Sequence, residues 1–137
     1  MAHSRRNTAA LVDALSSVNR LVEIGIGRRT DVAKGLAERG CQVVATDIIP
    51  RDVPDAVTFI EDDVLEPTLE VYADADTLYA LNLPPELHRP AWELARAVDA
   101  EFRFTTLGGD SPMVPVRRVS LPRETLFVAE AGVGDSR

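Results

Sequence analysis

The sequence predicts one α/β domain, with a mostly parallel sheet, helices on both faces and an antiparallel hairpin at its C-terminal end. Three observations predict it. Leu21-Val22-Glu23-Ile24 is a strand-length apolar run that breaks at Gly25-Ile26-Gly27 and re-enters a helical pattern near Thr30-Asp31. About 20 residues past that turn, Val43-Val44-Ala45-Thr46-Asp47 is a second apolar run, ending in a carboxylate. Beyond it, strand-like and helix-like stretches alternate as far as Leu107, and only short strand-like runs follow. The 137 residues suit one domain. Residues 7–130 are expected to form it, with 1–6 as a flexible leader and 131–137 as a flexible tail of small and polar residues.

The elements follow in order. Ala10, Leu11, Ala14, Leu15 and Val18 recur at helical spacing, so a helix is expected over about Asn7–Val18, capped by Asn7 or Thr8 and packed on the sheet beside the first strand. Arg20–Gly25 is strand one. Thr30 or Asp31 can cap the next helix, whose apolar face is Val32, Ala33, Leu36 and Ala37; Gly40 stops it. Gly35 inside that helix costs about 1 kcal/mol relative to Ala, which close approach of the helix to the sheet would explain. Gln42–Asp47 is strand two, apolar enough to be covered on both faces. Ile48–Pro54 is a loop, Val57–Ile60 strand three, and Leu65–Tyr72 a short helix. Thr77–Leu81 is strand four and Glu86–Val98 a helix, with Pro90 in its first turns and His88 on its surface. Phe102–Leu107 is strand five. Gly108–Pro115 is a loop, and Val116–Ser120 and Thr125–Ala129 form the terminal hairpin.

The charge balance narrows the function classes. There are 22 acidic residues against 15 basic ones, and Lys34 is the only lysine. An acidic, lysine-poor chain matches a protein from a salt-loving archaeon, whose carboxylates hold water when salt screens charge repulsion. A high-GC genome, which replaces Lys codons with Arg codons, gives the same bias. A net charge of −7 argues against non-specific binding to nucleic acid or to an anionic membrane. Cys41 is the single cysteine, so neither an internal disulfide nor a cysteine zinc site is available, and a small core residue is expected. No apolar run approaches the length of a membrane span and no signal core follows Arg5-Arg6, so a cytoplasmic protein is expected.

The chemistry-bearing residues lie at strand ends. Gly25 permits a tight turn, and Gly27 lets a ligand approach where a Cβ would block it. A dinucleotide fingerprint would need a third glycine at Thr30; the acidic-x-Gly-x-Gly-x-Gly pattern of methyl-transfer enzymes starts at Glu23 and would need one at Arg29. Both patterns are incomplete. Glu23 tilts the choice toward S-adenosylmethionine, whose amino group it suits, over NAD. Asp47 can accept both ribose hydroxyls and would repel a ribose 2′-phosphate; alternatively it begins a turn or pairs with Arg51. Asp62 or Asp63, followed by Val64, can take the adenine amino group, or form an ordinary acidic loop. Arg28 and Arg29 stand near a helix N-terminus, where cations lose about 0.3–1 kcal/mol each. An ion pair with Glu23, Asp31 or an acid after strand three, or a bound anion such as a cofactor carboxylate or a substrate phosphate, would offset that, and Arg28 is counted with the cofactor residues. Asn82-Leu83-Pro84-Pro85 resembles the Asn-Pro-Pro-aromatic motif of amino-group methyltransferases, but Leu83 intervenes and Glu86 replaces the aromatic. Asn82 is therefore a weak catalytic candidate, and a rigid turn is the plainer reading. Thr105, Thr106, Gly108, Gly109 and Asp110 follow strand five and are placed to line a substrate side. No His or Cys cluster offers a metal site.

Val22-Glu23-Ile24-Gly25-Ile26-Gly27-Arg28-Arg29-Thr30-Asp31-Val32-Ala33, with Ala45-Thr46-Asp47 and Pro84-Pro85-Glu86-Leu87, resembles the archaeal proteins grouped as UPF0146. That resemblance covers nearly the whole chain. It implies a Rossmann-like fold related to S-adenosylmethionine-dependent methyltransferases and supplies no substrate. Three functions stay open: an S-adenosylmethionine-binding protein, with or without methyltransferase activity on an unknown substrate; a non-catalytic nucleotide-binding or partner module; and an NAD-binding domain. At this size, a homodimer partner, another protein or the Gly108–Pro115 loop would have to supply the substrate surface.

Overall fold

The computed structural model describes residues 2–130, with side chains from Asn7 onward; the expected tail at 131–137 lies outside the described residues. Eleven elements follow one another: α1 (Ala2–Leu15), β1 (Arg20–Glu23), α2 (Asp31–Glu38), β2 (Gln42–Asp47), β3 (Thr58–Glu61), α3 (Leu69–Tyr72), β4 (Thr77–Leu83), α4 (Pro85–Ala97), β5 (Glu101–Thr106), β6 (Val116–Leu121) and β7 (Glu124–Ala129). They build one seven-stranded sheet in the order β3-β2-β1-β4-β5-β7-β6. The first five strands are parallel, and β7 enters antiparallel between β5 and β6. Parallel strands need covered faces. One face is closed by α1 and α2 through Leu11, Leu15, Val32 and Leu36 over Leu21, Val43, Tyr79 and Leu126. The other is closed by α4 through Ala91, Trp92, Leu94 and Ala95 over Val22, Leu78, Phe102 and Phe104. The order in which strands are added reverses at the β1–β4 pair, so the carboxyl ends of those two strands form the crevice in which such sheets hold ligands.

Several expectations need correction. Helix α1 starts at Ala2, so the backbone expected as a leader is helical, and it ends at Leu15 before Val18. A Cβ on Gly35 would stand 2.6 Å from Val12 Cγ2. Gly35 therefore serves the approach of α2 to α1, not of α2 to the sheet. The helix expected over Leu65–Tyr72 is a single turn, Leu69–Tyr72, because Asp63 and Glu66 first close a tight turn. Strand β4 runs on to Leu83 and takes in Asn82, with a register break against β5 between Ala80 and Leu83. Pro90 lies inside α4, past the free N–H positions, so the helix forgoes the bond to the Glu86 carbonyl. His88 is fully buried, not a surface residue. Its Nε2–H donates to the Leu83 carbonyl (2.9 Å) and its Nδ1 accepts the Met113 N–H (3.1 Å), with the ring 4.8 Å from Phe104. Both bonds suit one neutral tautomer. Cys41 is a buried free cysteine, as expected, and no helix among the described residues is long and apolar enough to cross a membrane.

Candidate functional site

The turn after β1 is stitched to the end of β2. The Ile26 N–H donates to the Thr46 carbonyl (3.0 Å), the Thr46 hydroxyl to the Glu23 carbonyl (3.0 Å), and the Gly27 N–H to Asp47 Oδ2 (2.8 Å). Gly25 and Gly27 have φ of +67° and +58°, and no protein atom lies within 4 Å of a Cβ built on either. The turn is thus both left-handed, as glycine permits, and open on the side a ligand would approach.

Asp47 is almost buried, and its oxygens are engaged. Oδ1 accepts the N–H groups of Ile48 (2.8 Å) and Ile49 (3.4 Å); Oδ2 accepts Gly27 N–H and Arg51 Nε (3.3 Å). The sequence alternatives for Asp47, a turn start and an Arg51 pair, are both present alongside its position at the strand end. Next to it, Ile48 and Ile49 are 64% and 48% exposed, and Leu65 after β3 is 60% exposed. Asp62 donates its N–H to the Asp47 carbonyl (3.0 Å), and its carboxylate accepts the Tyr72 hydroxyl (2.6 Å) and the Thr68 N–H (3.2 Å). Burial, then the Asp62 bond, push the Tyr72 hydroxyl well up from its ordinary value. Asp63 is engaged through Oδ1 by the Leu65 N–H (2.9 Å).

Glu23 stands beneath the turn and is closed to solvent. Its Oε1 accepts the Tyr79 hydroxyl from β4 (2.7 Å). Burial pushes its carboxyl up to about 8, with the Tyr79 bond and the Arg29 charge acting the other way. At neutral pH the group is therefore mostly protonated. The two arginines divide. Arg29 pairs with Asp31 (3.0 Å), which also accepts the Thr8 hydroxyl from α1. Burial alone would raise Asp31; the Thr8 bond and then Arg29 outweigh it and hold the carboxyl below its ordinary value. A carboxylate thus occupies the first turn of α2, where the helix dipole favours it. Arg28 is exposed and makes no ion pair among the described residues.

Asn82 lies on the other side of the switch point, in a left-handed conformation (φ +52°), with its N–H donating to Thr105 Oγ1 (2.7 Å). It lines a cavity of about 700 Å³ with Thr105 and Thr106 at the end of β5 and Asp110 after it, and with Arg118, Arg123 and Glu124 of the hairpin. These last three were not anticipated. Only the Arg117-Arg118 run and the Pro122-Arg123 turn hinted at them, because antiparallel pairing with β7 is what brings the hairpin tip to this edge. Tyr79 and the His88 clamp were missed as well.

The uncharacterised protein family UPF0146 matches residues 6–131, and the chain belongs to it. A UPF0146 protein of Halobacterium salinarum is 51% identical over 116 residues, covering 84% of this chain and 90% of its own. One from Archaeoglobus fulgidus is 44% identical over 91 residues, covering 66% and 70%. Among solved structures, an RNA methyltransferase from Salinibacter ruber in complex with S-adenosyl-L-homocysteine superposes with a TM-score of 0.63 at 17% identity, covering 90% of this chain and 88% of that one. Magnesium protoporphyrin IX methyltransferase from Synechocystis, with the same ligand bound, gives 0.60 at 13% identity, covering 94% and 84%. At those identities the likeness is one of fold.

Proposed function

We propose that this UPF0146 protein binds S-adenosylmethionine across the β1–β4 switch point and transfers its methyl group to a small acceptor held at the ends of β4 and β5. The observation that carries the reading is the Gly27 N–H on Asp47 Oδ2, which couples an open glycine turn to the acid that ends β2. The methyltransferases that share the fold and hold S-adenosylhomocysteine support it.

The residues fit such a cofactor. Asp47 takes the ribose hydroxyls by exchanging Arg51, its side-chain partner, while its backbone donors stay in place. Ile48, Ile49 and Leu65 offer exposed apolar surface for an adenine ring, and Asp63, engaged through Oδ1, offers an acceptor for the amino group, with Asp62 braced behind it by Tyr72. Arg28 is free to take a carboxylate. Glu23 acts from below, tying β1 to β4 under the turn. A dinucleotide fits less well: its pyrophosphate belongs at the N-terminus of α2, which the Asp31 carboxylate already fills.

When bound, held by Gly25, Gly27 and Asp47, the cofactor would supply an electrophilic methyl group, its sulfur retaining the electron pair of the bond given up and the acceptor's proton passing to water. Positioning is the main demand on the protein. Asn82, whose backbone N–H is held by Thr105 and which lines the cavity, would orient the acceptor.

Calorimetry and thermal shift in molar KCl, with S-adenosylmethionine, S-adenosylhomocysteine, NAD and NADP, test the reading. Binding of the adenosyl compounds is expected, and NAD binding without them would overturn it. Binding of none would favour a non-catalytic partner module.

A further inference from the structure

The cofactor reading uses the turn after β1 and the acids after β2 and β3. It leaves the character of the 700 Å³ cavity unexplained, although that volume lies within the ~300–1,000 Å³ of small-molecule sites. One wall is the segment after β5. The other is the β6–β7 hairpin, which contributes Arg118 from within β6 and Arg123 from its tip.

Neither guanidinium has a carboxylate partner among the described residues. Arg118 lies over the Phe127 ring, 5.4 Å from its centroid, and its N–H groups meet no hydrogen-bond acceptor among the described residues. Arg123 is odder. Leu121 pairs with Glu124, so Pro122-Arg123 is a two-residue loop, and Arg123 has φ +62°. Proline followed by a left-handed residue is the pattern of a type II turn, whose second position favours glycine. An arginine there gives up backbone comfort to place its side chain, as strained residues at binding sites do. Hydroxyls of Thr106, Ser111 and Ser120 share the lining.

We infer that this cavity grips an anionic oxygen group, a phosphomonoester or a carboxylate, of a small polar molecule between Arg118 and Arg123, and that this molecule is the methyl acceptor. The last clause rests on the cofactor reading; the anion grip does not. Guanidinium forks match both oxyanions. The limited volume of this cleft and the net charge of −7 favour a small molecule over a polyanion. Glu124 does not spoil the site: its buried Oε2 has no hydrogen-bond partner, and burial raises its carboxyl, with Arg29 acting the other way, so it takes a proton more readily and can then donate. Neighbouring strand residues point to opposite faces, so Arg117 carries the same charge outside the cavity and is the natural control.

The test uses the ¹⁵N-labelled full chain, titrated at constant ionic strength with glycerol 3-phosphate, glycerate and glycerol, and separately with S-adenosylhomocysteine. At least one of the two anions is expected to shift the Thr106, Gly108 and Gly109 amides and the Arg118 and Arg123 Nε signals, and glycerol to leave them unmoved. Arg118→Gln and Arg123→Gly should weaken that binding about tenfold or more, and Arg117→Gln less than about twofold. Arg123→Gly should also raise Tm, which separates lost binding from lost folding. No response to either anion, or equal losses in all three variants, overturns the inference, whatever S-adenosylhomocysteine does at Gly27 and Asp47. Anion binding with no response to S-adenosylhomocysteine keeps the anion site and overturns the acceptor assignment.

Discussion

The two halves of the carboxyl edge are built on opposite plans. On the β1–β3 side almost every polar group already has a partner: Asp47 is met by three backbone N–H groups and Arg51, Asp62 by Tyr72 and Thr68, and Asp31 by Thr8 and Arg29. On the β4–β7 side, Arg118 and Arg123 lack acid partners and Glu124 Oε2 is buried without a hydrogen bond among the described residues, and Asn82 and Arg123 both hold left-handed backbones. The first half is preorganised, so a ligand there would enter by exchanging one or two contacts. The second is unmatched, so a ligand there would complete it. Preorganisation lowers the ordering cost of binding, whereas unmatched groups make recognition selective, because a wrong ligand leaves them unpaired.

Four substitutions break or sharpen that contrast. Asp47→Ala should have the largest effect. Removing one buried acceptor orphans several N–H groups, so a stability loss of about 3 kcal/mol is expected by denaturant melts, with S-adenosylhomocysteine binding weakened at least about tenfold by calorimetry. Unchanged binding would show that the ribose site lies elsewhere. Next is Glu23, whose carboxyl is raised from 4.5 to about 8 in the folded state. The folded protein holds a proton there that the unfolded chain releases. Its contribution is therefore fully present below pH 4.5 and is lost as pH rises through 8, with a slope of at most ~1.4 kcal/mol per unit. Thermal melts between pH 5 and 9 should show that fall in the wild type and a flatter profile in Glu23→Gln. Equal slopes would mean that Glu23 is ionised in the fold.

His88→Phe probes the other half. It preserves ring packing on Phe104 but strands the Leu83 carbonyl and Met113 N–H, so about 2 kcal/mol should be lost. Hydrogen exchange should quicken at Met113 and in the loop after β5 while Gly27 stays protected; uniform acceleration would deny that the two halves are separate units. Arg51→Ala should do least. The pair is largely buried, but its 3.3 Å contact is only one of four that Asp47 accepts, so freeing Asp47 should tighten S-adenosylhomocysteine up to about fivefold. Weaker binding would instead make Arg51 a ligand contact.

The same contrast governs what the sequence discloses. Gly25, Gly27, Asp47 and Asp62 are legible because they sit at fixed offsets from apolar runs, and local spacing determines where strand ends fall. The alternation of strands and helices likewise carries the parallel sheet, and the charged turn carries the terminal hairpin. What is hidden depends on pairing between distant segments. Nothing local shows that β7 lies between β5 and β6, so the arginines of the hairpin cannot be placed at the cavity in advance. His88 looks like a surface residue because burial of a ring between Leu83 and Met113 depends on where the loop after β5 returns. Gly35 announces close packing but not its partner, Val12 of α1. Asn82 shows the limit from the other side: its motif suggests a turn after a strand, whereas a register break keeps it within β4.

The position of β7 has a consequence for how the protein comes into being. Strands β1 to β5 can pair as they leave the ribosome, each new strand finding a neighbour already made. Strand β6 cannot, because the place beside β5 belongs to a strand not yet translated. The glycine turn and its aspartates are therefore able to mature on the nascent chain, while the arginine-lined cavity closes only after β7 is released. Quality control acting on an interrupted chain would meet a molecule with its glycine turn assembled, β5 as a bare edge and no cavity beside it.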